Sequence, residues 1–336
     1  MSALFGLSAG RQKSISKSDK TFLFIDVENG SVASALARIS KKEPPRLFGE
    51  RRVQLPVFHP ISSQELAYKI DSTIKEALAH TSEVAARMRH NPETAAMGHI
   101  TEARIFLSAP WARSSIGEKG LQWDYEPEIL SLLQKNAHIF AVDVQILAHP
   151  FSRAAASAAF AFSEEETLLC IVTGEVIELV LVDQGLVLGR ATIPFGLHTV
   201  LRTLQSHAGL SLQEALSALR LLHLENTHSH PYYEPMGASA RHFAEEFSDA
   251  AEDLLEVSHA RTILVLAPET VGDWFAKALT GNDRSTALFP DGGVVRTLRP
   301  KHCIPYLAAH AEAPDLHLML ETMFISAGHA SDNSGI

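Results

Sequence analysis

The chain has 336 residues, 46% of them hydrophobic, and a formal net charge of −10 at pH 7. This length and composition predict a globular protein with about two domains, and the negative charge argues against a protein that binds nucleic acid by neutralising its phosphates. The two cysteines, Cys170 and Cys303, are too few for a disulfide framework or a cysteine-based zinc site, so we expect the reducing cytosol as the compartment.

The N-terminal segment carries no helix-capping signal and no periodic apolar stripe, so the sequence predicts a flexible tail over residues 1–18. A short apolar stretch, residues 4–7, precedes Arg11, whereas a secretory signal has its charges first. The alternative for this segment is a weak anchor to a membrane surface or a partner. No apolar stretch of the sequence is long enough to cross a bilayer.

The first strongly apolar run, residues 22–25, leads into Asp26 and then into the turn-forming pair Asn29-Gly30. The run that follows Ser31 has apolar spacing compatible with either a strand or a helix. Two interpretations are open from these residues. The segment is a β-hairpin with an acid at its mouth, or it is one half of a phosphate-binding cleft.

The rest of the first half alternates predicted strands and helices. Ser62 and Glu65 form a capping box, and the helix that follows has an apolar face at i, i+4 spacing, made of Leu66, Ile70, Ile74 and Leu78. Residues 103–111 predict a strand that Pro110 closes, and residues 137–147 predict a further strand. This alternation favours an α/β layer architecture.

The second half repeats this organisation from about residue 165. Residues 167–196 predict a three-stranded antiparallel meander with turns at Thr173-Gly174 and at residues 183–185. Ser211 and Glu214 form a second capping box. A predicted helix follows over residues 240–257, a predicted strand over residues 262–268 and a predicted closing helix over residues 313–327. The closing helix is predicted to bury one face, made of Leu316, Leu320, Met323 and Phe324, against the first half.

This order of elements resembles the actin-like ATPase superfamily, and within it the PilM/FtsA-like proteins of bacteria. Residues 24–39, "FIDVENGSVASALARI", resemble the first phosphate motif of that superfamily. Residues 173–196, "TGEVIELVLVDQGLVLGRATIPFG", resemble the second phosphate motif, and residues 263–279, "ILVLAPETVGDWFAKAL", are similar to the adenosine motif. The likeness covers about residues 20–327.

The resemblance implies an α/β, two-lobed actin-like ATPase fold (ribonuclease H-like) with mixed sheets flanked by helices. It divides the chain into a first lobe over residues 19–163 and a second over residues 164–327, followed by a flexible tail at residues 328–336. It implies ATP with magnesium as cofactor, with Asp26 as the metal-binding acid. The implied nucleotide-binding residues are Asp26, Asn29, Gly30, Ser31, Thr173, Gly174, Glu175, Glu178, Ala267 and Pro268.

The chain departs from the superfamily pattern at each motif. Glu28 stands where a glycine is expected and brings bulk and negative charge to a phosphate turn. Ile171 and Ile177 stand where an aspartate and a threonine are expected, and Pro268 removes a backbone donor. We therefore expect weak or lost ATP binding and hydrolysis, and no catalytic residue is assigned.

The leading hypothesis for function is a cytoplasmic scaffold at the inner face of the cell membrane, in type IV pilus assembly or cell division. The partners implied are the cytoplasmic tail of a membrane protein and further copies of this chain in dimers or filaments; no nucleic acid is expected. The alternatives are an active actin-like ATPase with an atypical cleft and a sugar-kinase-like phosphotransferase. Separately, the histidine-rich stretch at His223, Glu225, His228 and His230 is either a metal site or a polar surface loop.

Overall fold

The computed structural model describes residues 19–55, 63–91, 94–100, 102–117, 120–140, 144–224, 232–256, 258–268, 271–289, 292–309, 311 and 313–328. The strands are β1 (Lys20–Val27), β2 (Ser31–Ile39), β3 (Arg46–Gln54), β4 (Glu102–Leu107), β5 (Ala112–Gly117), β6 (Gly120–Tyr125), β7 (Gln145–Pro150), β8 (Thr167–Val172), β9 (Ile177–Asp183), β10 (Leu186–Ile193), β11 (Thr262–Leu266), β12 (Val294–Thr297) and β13 (Ala308–Ala309).

The α-helices are α1 (Ser63–His90), α2 (Pro127–Ala137), α3 (Phe151–Ala159), α4 (Leu197–Ala208), α5 (Leu212–Leu224), α6 (Tyr233–Leu255), α7 (Gly272–Thr280), α8 (Asp283–Ala287), α9 (Pro300–Cys303) and α10 (Leu316–Ser326). The predicted tail at residues 1–18, residues 329–336 and the stretch holding His228 and His230 lie outside the described residues. None of the helices that the structure describes combines the length and the apolar character needed to span a membrane.

Two mixed sheets form the framework, and apart from β13 at one edge of the first sheet they share the same strand order. The first has the order β13-β3-β2-β1-β4-β7 and the second the order β10-β9-β8-β11-β12. In each sheet three consecutive strands form an antiparallel meander, and two later strands join in parallel beside the first strand of that meander. The predicted α/β class with two mixed sheets is therefore confirmed, and so is the meander over residues 167–196.

The apolar core is divided into three clusters, one of which lies between the two sheets. This central cluster joins Phe24 of the first sheet and Leu169 of the second with side chains of α3 and α10. A second cluster packs α4, α6 and α7 on the outer face of the second sheet. A third packs α1 and α2 on the outer face of the first sheet, where Ile70, Ile74 and Leu78 are buried as predicted.

The closing helix is buried on all sides rather than on one face. Every residue from Leu316 to Ile325 is buried, because α10 lies beside α3 between the two sheets and contacts strands of the first sheet. The prediction that this helix packs back against the first half is confirmed, but the prediction of a single buried face is wrong. A helix surrounded by protein loses its amphipathic pattern.

The predicted strand over residues 137–147 is also wrong. Ala137 ends α2, which begins at Pro127, and the strand of this region is β7, at Gln145–Pro150. Phe140 follows the helix in a turn and is nevertheless buried. An apolar side chain that fills the core from a turn imitates the apolar run of a strand, which explains the error.

The chain returns to the first sheet after it has completed the second. β13 pairs in parallel with β3 at Ala308 and Ala309, and α10 then packs against the same sheet. The division into two lobes with boundaries at residues 163 and 327 therefore stays a prediction.

Candidate functional site

The turn between β1 and β2 holds the first group of predicted site residues. Asp26 lies near the end of β1 and is fully buried, and Glu28 and Asn29 in the turn are each only 8% exposed. The turn is closed by a hydrogen bond from the Glu28 N–H to the Ser31 carbonyl, at 2.9 Å. The sequence forms this hairpin because an apolar strand meets Asn29-Gly30, a pair that favours a tight turn.

The turn between β8 and β9 is the counterpart in the second sheet. The Thr173 N–H donates to the Val176 carbonyl at 3.1 Å, and the Gly174 carbonyl accepts from the His198 N–H at the start of α4, at 2.7 Å. Ile171, which stands where the superfamily has an aspartate, is buried in the apolar cluster between the sheets. Its position in the core explains why an aliphatic side chain is accommodated there.

The two turns touch each other. A Cβ atom added to Gly30 would lie 2.5 Å from the Gly174 Cα, and one added to Gly174 would lie 2.5 Å from the Gly30 Cα. The two predicted phosphate turns are thus brought together, and glycine is required at both positions because the backbones approach so closely.

Asn29 ties the two turns together through its side-chain amide. The amide nitrogen donates to the Ala109 carbonyl and to the Thr173 hydroxyl, each at 2.8 Å, and the amide oxygen accepts from the Glu175 N–H at 2.6 Å. We call this set of three hydrogen bonds the Asn29 latch. It occupies the Glu175 backbone donor that lies at the second turn.

A buried ionic cluster lies beside the first turn, and we define it as Asp26, Glu28, Arg52, Asp315 and His317. The Arg52 guanidinium donates to all three carboxylates at 2.6 Å. Nδ1 of His317 lies 2.7 Å from the Glu28 carboxylate and 3.7 Å from that of Asp26. Arg52 comes from β3 and the last two residues from the start of α10, so the cluster joins the first hairpin to the C-terminal helix.

Burial and charge shift the protonation of this cluster in opposite directions. Burial alone would lower the pKa of His317, but the carboxylates of Glu28 and Asp26 outweigh it and raise that pKa to about 9. Burial alone would raise the pKa of Asp315, but Arg52 outweighs it and lowers that pKa to about 2. For the neighbouring Glu321, burial raises the pKa well above its ordinary value. Because the pKa of His317 is about 9, its imidazole is positively charged at neutral pH.

The remaining predicted site residues lie around the two turns. Ser31 donates to the Glu28 carboxylate at 3.1 Å, and Glu175 forms an ion pair with Arg202 of α4 at 2.8 Å. Ala267 and Pro268 follow β11 and line the same cavity as both turns. The Glu178 carboxylate instead accepts a hydrogen bond from the Arg190 guanidinium of the neighbouring strand β10, at 2.6 Å.

A cavity of about 340 Å³ opens beside the touching turns. Gly174 and Pro268 line it from the second sheet, and Glu50, Arg52 and His317 line it from the first sheet and α10. Its volume is at the lower end of the range of about 300–1,000 Å³ found for ligand sites. Carboxylates and basic groups both line it, so its walls carry charges of both signs.

The comparisons with known proteins rest on structure. No protein-family model and no curated protein matches the sequence. The structure is similar to a chain of the PilM–PilN type IV pilus biogenesis complex, with a TM-score of 0.57, 11% identity and coverage of 92% of this chain and 96% of that one. This chain has the actin-like ATPase fold. Identity at this level shows the shared fold and no shared function.

Two further solved structures are similar to this chain at lower TM-scores. One is the ethanolamine utilization protein EutJ from Carboxydothermus hydrogenoformans, with a TM-score of 0.47, 11% identity and coverage of 84% of this chain and 85% of that one. The other is an ROK family glucokinase from Streptomyces griseus, with a TM-score of 0.45, 12% identity and coverage of 82% and 94%.

The group that the actin-like fold implies, magnesium with a nucleotide, does not fit between the turns in this arrangement. Phosphate binding there needs space and free backbone N–H groups. The turns are in contact, and the N–H groups of Glu28, Thr173 and Glu175 already donate within the protein. Asp26, the predicted metal-binding acid, accepts a hydrogen bond from Arg52.

Four residues of this site were missed by the sequence-based reasoning: Arg52, Asp315, His317 and Glu321. One signal could have indicated two of them. His317 and Glu321 are the two ionisable residues of the largely apolar stretch of residues 316–325 and lie four positions apart, and residues at this spacing share one face of a helix. Polar residues on one face of such a helix indicate a buried polar site.

Proposed function

We propose that this chain is a cytoplasmic actin-like scaffold of the PilM/FtsA type, which organises a membrane-associated assembly without hydrolysing ATP. The single observation that carries the proposal is the contact between Gly30 and Gly174, held by the Asn29 latch. Phosphoryl transfer requires phosphates that are held in line with a water and a metal ion. Two touching turns leave no space between them for a phosphate, and the N–H groups of Glu28, Thr173 and Glu175 already donate within the protein.

The ionic cluster supports the same proposal. In a nucleotide-binding cleft a carboxylate near the first turn interacts with magnesium. Here Arg52 and the protonated His317 neutralise Asp26 and Glu28 from within the protein. Arg52 and His317 thus take the place of a metal ion and hold the first hairpin and α10 together. A scaffold that is always assembled needs such a connection to form without a cofactor.

The partners of the scaffold follow by analogy with the fold. The structure is similar to that of a chain in the PilM–PilN type IV pilus biogenesis complex. We infer that this chain recruits the cytoplasmic tail of a membrane protein and associates with further copies of itself, in pilus assembly or cell division, at the inner face of the membrane.

The test is a titration of the purified full chain with magnesium and ATP while the melting temperature is followed. A ligand at a hundredfold excess over its dissociation constant stabilises the folded state by about 2.7 kcal/mol, so binding is readily seen. We expect no shift and no phosphate release. Sedimentation velocity should give the same distribution of oligomers with and without the nucleotide.

The matched control is Asp26→Asn, which removes the charge of the predicted metal-binding acid at nearly constant volume. Under the scaffold proposal the wild type and this variant are equally indifferent to ATP. A wild-type shift at micromolar ATP that the variant abolishes would overturn the proposal and establish the ATPase alternative.

A further inference from the structure

Exposed apolar side chains gather at the end of the molecule that is far from the touching turns. β1 and β8 lead into the turns that hold Gly30 and Gly174, so the first residues of both strands lie at the far end. We define the basal patch as the apolar side chains that meet there: Phe160, Phe162, Leu186, Ile304 and Tyr306. All of them except Phe162 are between 43% and 67% exposed. Clustered exposure of this kind indicates an interaction surface, whereas scattered apolar residues do not.

The members of the basal patch are neighbours in space. The ring centroids of Phe162 and Tyr306 lie 5.8 Å apart, and the Tyr306 hydroxyl donates to the carbonyl before Phe162 at 3.0 Å. A Cβ atom on Gly185, in the turn between β9 and β10, would lie 3.5 Å from the Cβ of Phe160. The residues after α3 therefore join this turn to the residues after α9.

The described chain begins close to the basal patch. Across the first sheet, Thr21 of β1 lies opposite Arg38 of β2, which lies opposite Arg46 of β3. Arg46 in turn pairs with Ala308 of β13, just after the patch. Three strand spacings of about 4.8 Å put Thr21 about 15 Å from Ala308. Asp19 is held to Arg38 at 2.6 Å, and β2 is the neighbour of β1 on the side of β13.

Acidic side chains border the patch. Glu164 and Glu165 follow Phe162 closely and are exposed, in the loop that leads to β8. An occupant that fits this surface therefore needs apolar side chains for the patch and basic side chains for its acidic border.

The N-terminal segment of this chain has that composition. Residues 4–7 hold two leucines and a phenylalanine, and Arg11, Lys13 and Lys17 follow. Extended, the stretch between residues 7 and 19 spans up to about 40 Å, which is more than the distance to the patch. A tethered segment also has an effective concentration on the order of millimolar, which favours it over a free partner.

We propose that the N-terminal segment docks on the basal patch of its own chain. Residues 4–7 cover the apolar side chains, and Arg11 and Lys13 lie over the acidic loop at residues 164–166. The sequence predicts no helix for this segment, so the surface orders it rather than its own hydrogen bonds. Docking covers apolar side chains that would otherwise be open to uncontrolled association.

The test is limited digestion of the full chain with trypsin, followed by mass spectrometry of the N-terminal peptides. Cleavage after Arg11 follows the population of the released segment, so Phe5→Ser and Phe160→Ser should each accelerate it roughly fivefold or more. Both substitutions remove the same contact, so their combination should accelerate cleavage by less than the product of the single effects. Ile304→Ser is a second patch variant, should Phe160→Ser fail to fold.

Matched controls separate docking from a general loss of stability. Leu221 is 52% exposed on α5, which packs against α4, so Leu221→Ser should leave the cleavage rate unchanged. Glu164→Gln combined with Glu165→Gln should raise the rate about twofold or more, as expected for exposed ion pairs. Glu245→Gln combined with Glu252→Gln, on the exposed side of α6, should not.

Four results would overturn the proposal. Equally fast cleavage of the wild type and of Phe5→Ser would leave the segment flexible. Protection that survives both Phe160→Ser and Ile304→Ser would place the segment elsewhere. Protection that rises with the concentration of the chain would assign the patch to a second copy. Protection only in the presence of vesicles of phosphatidylcholine and phosphatidylglycerol would assign the segment to a membrane surface.

Discussion

The Asn29 latch makes a quantitative prediction about the contact between the two halves of the molecule. Asn29→Ala removes two donated hydrogen bonds of 2.8 Å and one accepted bond of 2.6 Å, all of them buried or partly buried. The Thr173 hydroxyl keeps its bond to the Val176 carbonyl. The Ala109 carbonyl and the Glu175 N–H, however, both lose this partner.

The magnitude follows from these groups. A typical intramolecular hydrogen bond contributes about 0.5–1.5 kcal/mol net, and a buried group left unpaired costs about 1–3 kcal/mol. We therefore expect Asn29→Ala to lower the free energy of unfolding by about 2–4 kcal/mol. The Glu175 amide should also exchange its hydrogen faster, because the bond that protects it is lost.

The measurement is urea unfolding followed by tryptophan fluorescence, with hydrogen exchange at Glu175 as the local probe. Asn136→Ala is the matched control, because Asn136 donates to the Leu132 carbonyl at 2.8 Å and to Asp71 at 2.9 Å within the first half. We expect that control to cost about 1–2 kcal/mol and to leave the Glu175 amide protected. A loss for Asn29→Ala no larger than that of the control, with unchanged exchange at Glu175, would refute the latch.

Two further predictions concern the same turns. Gly30→Ala places a Cβ 2.5 Å from the Gly174 backbone and should cost about 1–3 kcal/mol by urea unfolding. Gly237→Ala, in a helix with its nearest neighbour 3.7 Å away, should be neutral or stabilising, and equal losses would contradict the close approach. Burial alone would raise the pKa of Glu175, but its partners on α4 lower it to about 2, from 4.5. Its stabilisation is thus present above about pH 4.5 and is lost as the pH falls toward 2; Arg202→Met should flatten this dependence of the unfolding midpoint, and an unchanged slope would argue against the ion pair.

Much of the fold could be predicted because its turns have local signals. Residues 167–196 were interpreted correctly as a meander, since Thr173-Gly174 and residues 183–185 mark both turns. The run after Ser31 was ambiguous because strand and helix spacings both fit its small apolar residues; it forms β2. Its pairing with β1 and β3 settles the structure, and pairing is not encoded locally.

Helix α3 was harder to predict than α1, which a capping box and a periodic apolar face mark in the sequence. α3 consists largely of alanine, and seven of its nine residues are buried. Only Arg153 and two serines interrupt this small apolar run, and three polar positions are too few to establish a helical period from the sequence. The strand predicted over residues 137–147 begins too early, because Phe140 and Val144 are buried although they precede β7.

The sequence predicted the two turns of the candidate site but not the ionic cluster beside the first turn. The register of the first sheet explains why. Asp26 lies opposite Ala33 in β2, and Ala33 lies opposite Arg52 in β3. Residues directly opposite one another in antiparallel strands point to the same face, so these three form one row across the sheet. Because Ala33 is short, the Arg52 side chain extends over it and reaches Asp26 at 2.6 Å. Nothing in the sequence near Asp26 indicates an arginine 26 positions later, so the residue that neutralises the predicted metal-binding acid emerges only once the strands are paired.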